Sequence, residues 1–215
     1  MGDFAENQPT NPEKNRKYQT ADQLAPELWD DLAALKPAEV RQRSLTGGED
    51  GLFDVPFLDA LYRLDPGKRE VRDVHTARVP DFQTGLVLIN YLIHASEEGI
   101  DGRMVPPREI PGGDLFFQGP HALLTGPVTR RFERDAAGFL ENGLLLGGDQ
   151  VSGGDAAFRL WTLPKVPVAY SLYEADDEFG AELTITIDAN AGRHLPLDSI
   201  WALINVVSLK VAGKT

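Results

Sequence analysis

The chain has no cysteine. Disulfides, thiolate catalysis, iron–sulfur ligation and cysteine-bearing zinc sites are therefore excluded. Basic residues are scarce as well: 21 Lys and Arg stand against 33 Asp and Glu, a net charge of −12. A surface this acidic repels phosphate backbones and anionic lipid, so no nucleic-acid partner is expected. Long apolar runs are missing, and nothing approaches the roughly 18 residues of a membrane-spanning helix, so no membrane partner is expected either. The opening "MGDFAENQPTNPEKNRKYQT" has no apolar signal core and no Ser or Thr at position six, and cytoplasm is the expected setting. Catalytic signatures are absent too. There is no G-x-S-x-G elbow, and no two of His75, His94, His121 and His194 are four residues apart. "GGDQVSGGD" lacks the Lys-Ser/Thr ending of a phosphate loop and reads as a turn. The reading leans away from an enzyme, and no residue pattern names a cofactor or a metal.

What is present is enough for one large domain in 215 residues. Residues 1–20 are polar and read as a disordered tail, leaving 21–215 as the domain. Leu24, Leu28, Leu32 and Leu35 predict a helix that Thr20 or Asp22 can cap, and Pro37 opens a second helical piece. "ALYRL" and "REVRDV" predict a hairpin turned by Asp65-Pro66-Gly67-Lys68, with Gly67 free to take a positive φ. "DFQTGLVLINYLIHASEEG" predicts a helix capped by Asp81, buried nearly all round and stopped by Gly99. An irregular segment, "DGRMVPPREIPGGDLFFQGPH", follows and holds four of the fifteen prolines. One more helix is expected over 127–141. Three strands then come from "DAAFRLWTLP", "VPVAYSLYE" and "LTITID", and a closing amphipathic helix from "LPLDSIWALINVVSLKV". The order predicts an α+β fold: an antiparallel sheet, made of the C-terminal meander plus the N-terminal hairpin, with helices packed on it.

Two stretches carry candidate chemistry. "YEADDEFGAE" sets five acids in nine positions, Glu174, Asp176, Asp177, Glu178 and Glu182, between two strands. Oxygen ligands in such number suit Ca²⁺ or Mg²⁺, but the alternating ligand pattern of a calcium loop is absent. Neighbours on a strand also point to opposite faces, so adjacency does not make Asp177 and Glu178 an acid/base pair. The plain reading is a solvated hairpin tip with Phe179 tucked under it. The second stretch is "PPREIPGG". There Arg108 can fork onto a carboxylate or phosphate, Glu109 stands beside it, and Gly112 and Gly113 let backbone approach a ligand. Pairing of Arg108 with Asp177 or Glu178 would lock the long segment onto the meander. Arg108, Glu109, Gly112, Gly113, Asp177 and Glu178 are thus the candidate cluster, either a structural lock or the wall of a pocket.

These stretches, in their order and spacing, resemble the domain of unknown function 3786 family. The resemblance rests on Asp81 and Phe82 opening the buried helix and on Arg108, Glu109, Pro111, Gly112 and Gly113 in the irregular segment. It continues through Gly154 and Asp155, Pro164 and Pro167, Asp177, Glu178 and Phe179, and finally Asp188. It implies an uncharacterised binding or accessory protein of anaerobic bacteria and archaea. Fusion of its members to four-cysteine iron–sulfur domains implies a link to redox or corrinoid metabolism. This chain departs from the pattern in having no cysteine, and in carrying Asn90 where members often have His. Three functional readings follow. The first is a non-catalytic cytoplasmic binding or accessory protein, with a small molecule or a protein as its partner. The second is an enzyme using the Arg/Glu/Asp cluster in a pocket. The third is a protein-interaction domain with an exposed apolar patch.

Overall fold

The computed structural model describes residues 19–214. Most of the expected tail, residues 1–18, lies outside the described residues. Gln19 and Thr20 belong to the folded body: the Gln19 carbonyl accepts from the Phe82 N–H at 3.2 Å, and Thr20 bridges Asp81.

Proline placement governs the first elements. Ala21–Gln23 form a 3₁₀ turn, closed where the Thr20 N–H donates to Gln23 Oε1 at 3.2 Å. The predicted helix does not run through them. A residue before proline is held out of the helical region; Ala25 sits at φ −57°, ψ 132°, and helix α1 starts only at Pro26 (Pro26–Ala33). Helix α2 (Pro37–Ser44) begins at its proline as expected. Its Arg43 donates to the carbonyls of Leu92, Ile93 and Ala95, each at 2.9 Å. Those are the orphan acceptors at the end of α3 (Phe82–His94), which therefore stops well before Gly99. The start of α3 is as predicted, with Asp81 accepting from the Thr84 N–H at 3.0 Å.

The first sheet has three antiparallel strands in the order β1 (Phe53–Phe57), β2 (Ala60–Asp65), β3 (Glu70–Asp73). The β2–β3 hairpin is the predicted one, but the positive φ of its turn falls on Arg69, not Gly67. Strand β1 is an addition to the expected hairpin, and Pro56 sits inside it. An edge strand tolerates a proline that a central strand would reject. Phe53 and Val55 of β1 stand opposite Leu64 and Tyr62 of β2, and all four are buried.

The second sheet has the order β4-β8-β7-β6-β5. Its core is the predicted meander: β6 (Ala156–Leu163), β7 (Val166–Tyr173) and β8 (Glu182–Asp188). Val168, Tyr170 and Leu172 pair with Ile187, Ile185 and Leu183, and the whole row is buried. Short edge strands β4 (Met104–Val105) and β5 (Asp149–Gln150) close the two sides. The helix expected over 127–141 is two, α5 (Gly126–Arg131) and α6 (Ala136–Leu145), after the single-turn α4 (Gly113–Phe116). Asp135 makes the break by capping α6, accepting from the Gly138 N–H at 2.9 Å. Helix α7 (Leu197–Val211) lies across the sheet, and the Tyr170 hydroxyl donates to the Ile204 carbonyl at 3.4 Å. Phe139, Phe158 and Tyr170 stack from α6 into the sheet with ring centroids 4.7 and 5.6 Å apart. Each such ring contributes about 1.5–3 kcal/mol through burial. The architecture is α+β, as the pattern of elements predicts. No described helix is long and apolar enough to cross a membrane.

Candidate functional site

The acidic stretch folds by local hydrogen bonds. The Asp176 carboxylate accepts from the Glu178 and Phe179 N–H groups at 2.8 and 2.7 Å. These bonds, first that from Phe179, hold its pKa below the ordinary carboxylate range. Glu174 reaches the start of α6 and accepts from the Ala136 N–H at 2.5 Å. Asp177 and Glu178 are exposed. Phe179 is not tucked under the tip but 71% exposed, because the Asx turn at Asp176 directs it outward. Among the described residues, no three His, Asp or Glu side chains come together to hold a metal ion.

"PPREIPGG" is a compact knot. Pro107 and Ile110 are buried, and the Gly113 N–H donates to the Ile110 carbonyl at 2.8 Å. Gly112 has φ +80°, and a Cβ on Gly113 would lie 2.1 Å from the Pro107 carbonyl oxygen. Both glycines are needed by the backbone itself. Arg108 and Glu109 point outward and are exposed.

The two halves of the candidate cluster do not meet. Strand β4 pairs with the far end of β8, Met104 opposite Asp188 and Val105 opposite Ile187. The acidic tip precedes the other end of β8, at Glu182. Seven residues at about 3.3 Å each put roughly 23 Å of strand between them. Arg108 accordingly makes no ion pair with Asp177, Glu178 or any other described residue. The proposed lock between Arg108, Glu109, Gly112, Gly113 and Asp177, Glu178 is corrected: the register of β4 on β8 sends the knot to the opposite end of the sheet.

The knot instead forms one wall of a cleft of about 620 Å³. Glu109 and Pro111 line it with Asp101 and Arg103 on one side; Asn190, Arg193 and Leu197 line the other. Both arginines are loosely paired at the rim, Arg103 with Asp101 at 3.6 Å and Arg193 with Glu98 at 3.7 Å. One buried carboxylate joins the walls. Asp188 accepts from the N–H groups of Asp101 and Gly102 at 2.9 and 2.7 Å, and from that of Asn190 at 2.9 Å. Beneath the same wall lie two buried basic side chains. Lys165 donates to the carbonyls of Ser96 and Glu98, each at 2.9 Å. His194 Nδ1 accepts from the Ser96 N–H at 3.4 Å. The ring proton is therefore on Nε2, which faces the Gly99 carbonyl without closing a hydrogen bond. Burial, and after it the Lys165 charge, pushes the imidazole below its ordinary pKa.

Of the candidate residues only Glu109 lines this cleft; Gly112 and Gly113 shape the knot behind it, and sequence reasoning missed Asp101, Arg103 and Arg193 in the lining and Lys165 beneath it. Asp188 stood in the family pattern without a role. Alternation groups it with Glu182, Thr184 and Thr186, opposite the buried row of Leu183, Ile185 and Ile187, so no local pattern announces its burial.

The fold and cleft define a class: an α+β domain whose sheet ends in a pre-organised polar cleft. The chain belongs to the family described as Domain of unknown function (DUF3786), whose match covers residues 36–210. No curated protein and no solved structure gives a significant match to it.

Proposed function

We propose that the protein is a non-catalytic binding protein that takes a small polar ligand in the cleft between the 101–111 segment and the 189–197 turn. The carrying observation is Asp188, which fixes both walls before any ligand arrives; pre-organisation of this kind lowers the entropic cost of binding. Two guanidiniums and two carboxylates, Arg103, Arg193, Asp101 and Glu109, line the opening. A ligand carrying charges of both signs complements them. The redox or corrinoid setting, and the cytoplasm, are part of this reading as the context that the family resemblance suggests.

The test is an NMR amide-shift screen of the full chain against amino acids, dicarboxylates and sugar phosphates. The expected hit moves amides of 101–111 and 189–197, and Arg193→Gln weakens it about tenfold, as loss of one charged hydrogen bond does. Asp188→Asn, which leaves backbone donors facing an amide, costs about 2–3 kcal/mol of stability and abolishes the hit. A panel that leaves these amides unmoved, or a hit indifferent to Arg193→Gln, sinks the reading.

A further inference from the structure

A second cleft, of about 580 Å³, lies on another part of the molecule, between the loop joining β3 to α3 and the last turns of α7. Its wall is apolar where Val79 and Pro80 face Val206 and Leu209. Its polar groups are unevenly committed. The carboxylates are engaged: Asp73 accepts from the N–H groups of His75 and Thr76 at 2.9 and 2.7 Å. Asp81 accepts from the Thr84 N–H at 3.0 Å and the Thr84 hydroxyl at 2.6 Å. The donors are not. The guanidinium of Arg78 and the ammonium of Lys210 make no ion pair with any described residue. The Tyr62 side chain lines the same cleft, and its hydroxyl has no hydrogen-bond partner among the described residues. Burial, and after it the charges of Asp73, Asp81 and Asp59, push this phenol up to about 12, so it stays a donor across the physiological range.

We infer that this cleft is a binding site for an organic anion, a carboxylate carried on a short aliphatic or aromatic body. The carboxylate lies between Arg78 and Lys210 with the Tyr62 hydroxyl as third donor, and the body covers Val79, Pro80, Val206 and Leu209. The pairing follows from what is left over. An uncharged apolar ligand would leave the two uncommitted cations, Arg78 and Lys210, beside a dry wall, and a cation would meet carboxylates already engaged by N–H and O–H donors. A surplus of donors over an apolar wall is matched by a group that accepts at one end and sheds water at the other. Lys210 stands in the last turn of α7, where its charge also suits the helix end. This site is independent of the Asp188 cleft in position and in ligand chemistry.

The experiment titrates the full chain with hexanoate and benzoate, with hexanamide and benzamide as neutral counterparts and inorganic phosphate as the anion without a body. The readouts are the shifts of Val79, Val206 and Leu209 and of the Tyr62 ring. The carboxylates are expected to move all four, and the amides to bind at least about tenfold more weakly. Arg78→Gln and Lys210→Gln are each expected to weaken hexanoate about tenfold with thermal unfolding unchanged, and Tyr62→Phe to weaken it less. Acid and amide binding alike removes the anion assignment. Phosphate binding as well as hexanoate removes the role of the apolar wall. Silence at all four residues up to about 20 mM removes the site.

Discussion

His194 sits in an environment that constrains its protonation. Its ring is fully buried, one nitrogen accepts from the Ser96 N–H, and the ammonium of Lys165 stands beside it, with Asp188 and Glu98 the nearer acids. Its folded pKa is depressed below the ordinary value near 6.5. Between the folded value and about 6.5 the unfolded chain therefore holds more protons than the folded one. Stability from this group is complete above about 6.5 and falls as the pH drops through that window. Urea unfolding at pH 7.5 and 5.5 should show the wild-type chain losing more stability on acidification than His194→Gln. The variant itself starts lower by about 1–3 kcal/mol, since a buried polar group is mispaired. His94, also depressed by burial and then by the charge of Arg43, titrates in both proteins and cancels in the difference. Equal acid slopes would show that His194 does not report on this cluster.

At the scale of elements, the knot 107–113 is set by backbone fit. In Gly113→Ala the new Cβ meets the Pro107 carbonyl at 2.1 Å, and that contact is with main chain that cannot rotate aside. A loss of about 2–4 kcal/mol is expected, with faster amide exchange confined to 105–116. Exchange that quickens evenly over the chain, or not at all, contradicts a local role. The same segment shows what was readable in the sequence. Alternation gave the three long strands of the meander because one face is buried against helices, and Val168, Tyr170 and Leu172 could only point inward. Asp81 announced α3 because a cap is a local bond. The misses have non-local causes. Strand β1 is held by its partner β2 despite Pro56, the end of α3 is set by Arg43 from another helix, and β4 exists only through β8. The candidate cluster failed for the same reason: no local pattern states which end of β8 will receive β4.

At the scale of the whole molecule, charge is the unbalanced quantity. The ion pairs of the described residues lie at the surface; even the short Arg69–Asp30 contact, at 2.6 Å, joins side chains 48% and 66% exposed. Such pairs are worth about 0–1 kcal/mol each and weaken with salt. Against them stands a net charge of −12, whose self-repulsion salt also weakens. The two effects have opposite signs. The excess of 33 acids over 21 bases leaves many carboxylates without a counter-charge, so relief of repulsion is the larger one. Raising NaCl from about 0.05 to 0.5 M, where the screening length shrinks to a few ångströms, should raise Tm by about 2–4 °C. Choline chloride at the same strength should match it, because screening does not depend on the identity of the cation. A fall in Tm would mean that the surface pairs outweigh the excess charge. A rise with NaCl alone would point to a bound sodium ion and not to the field of the molecule.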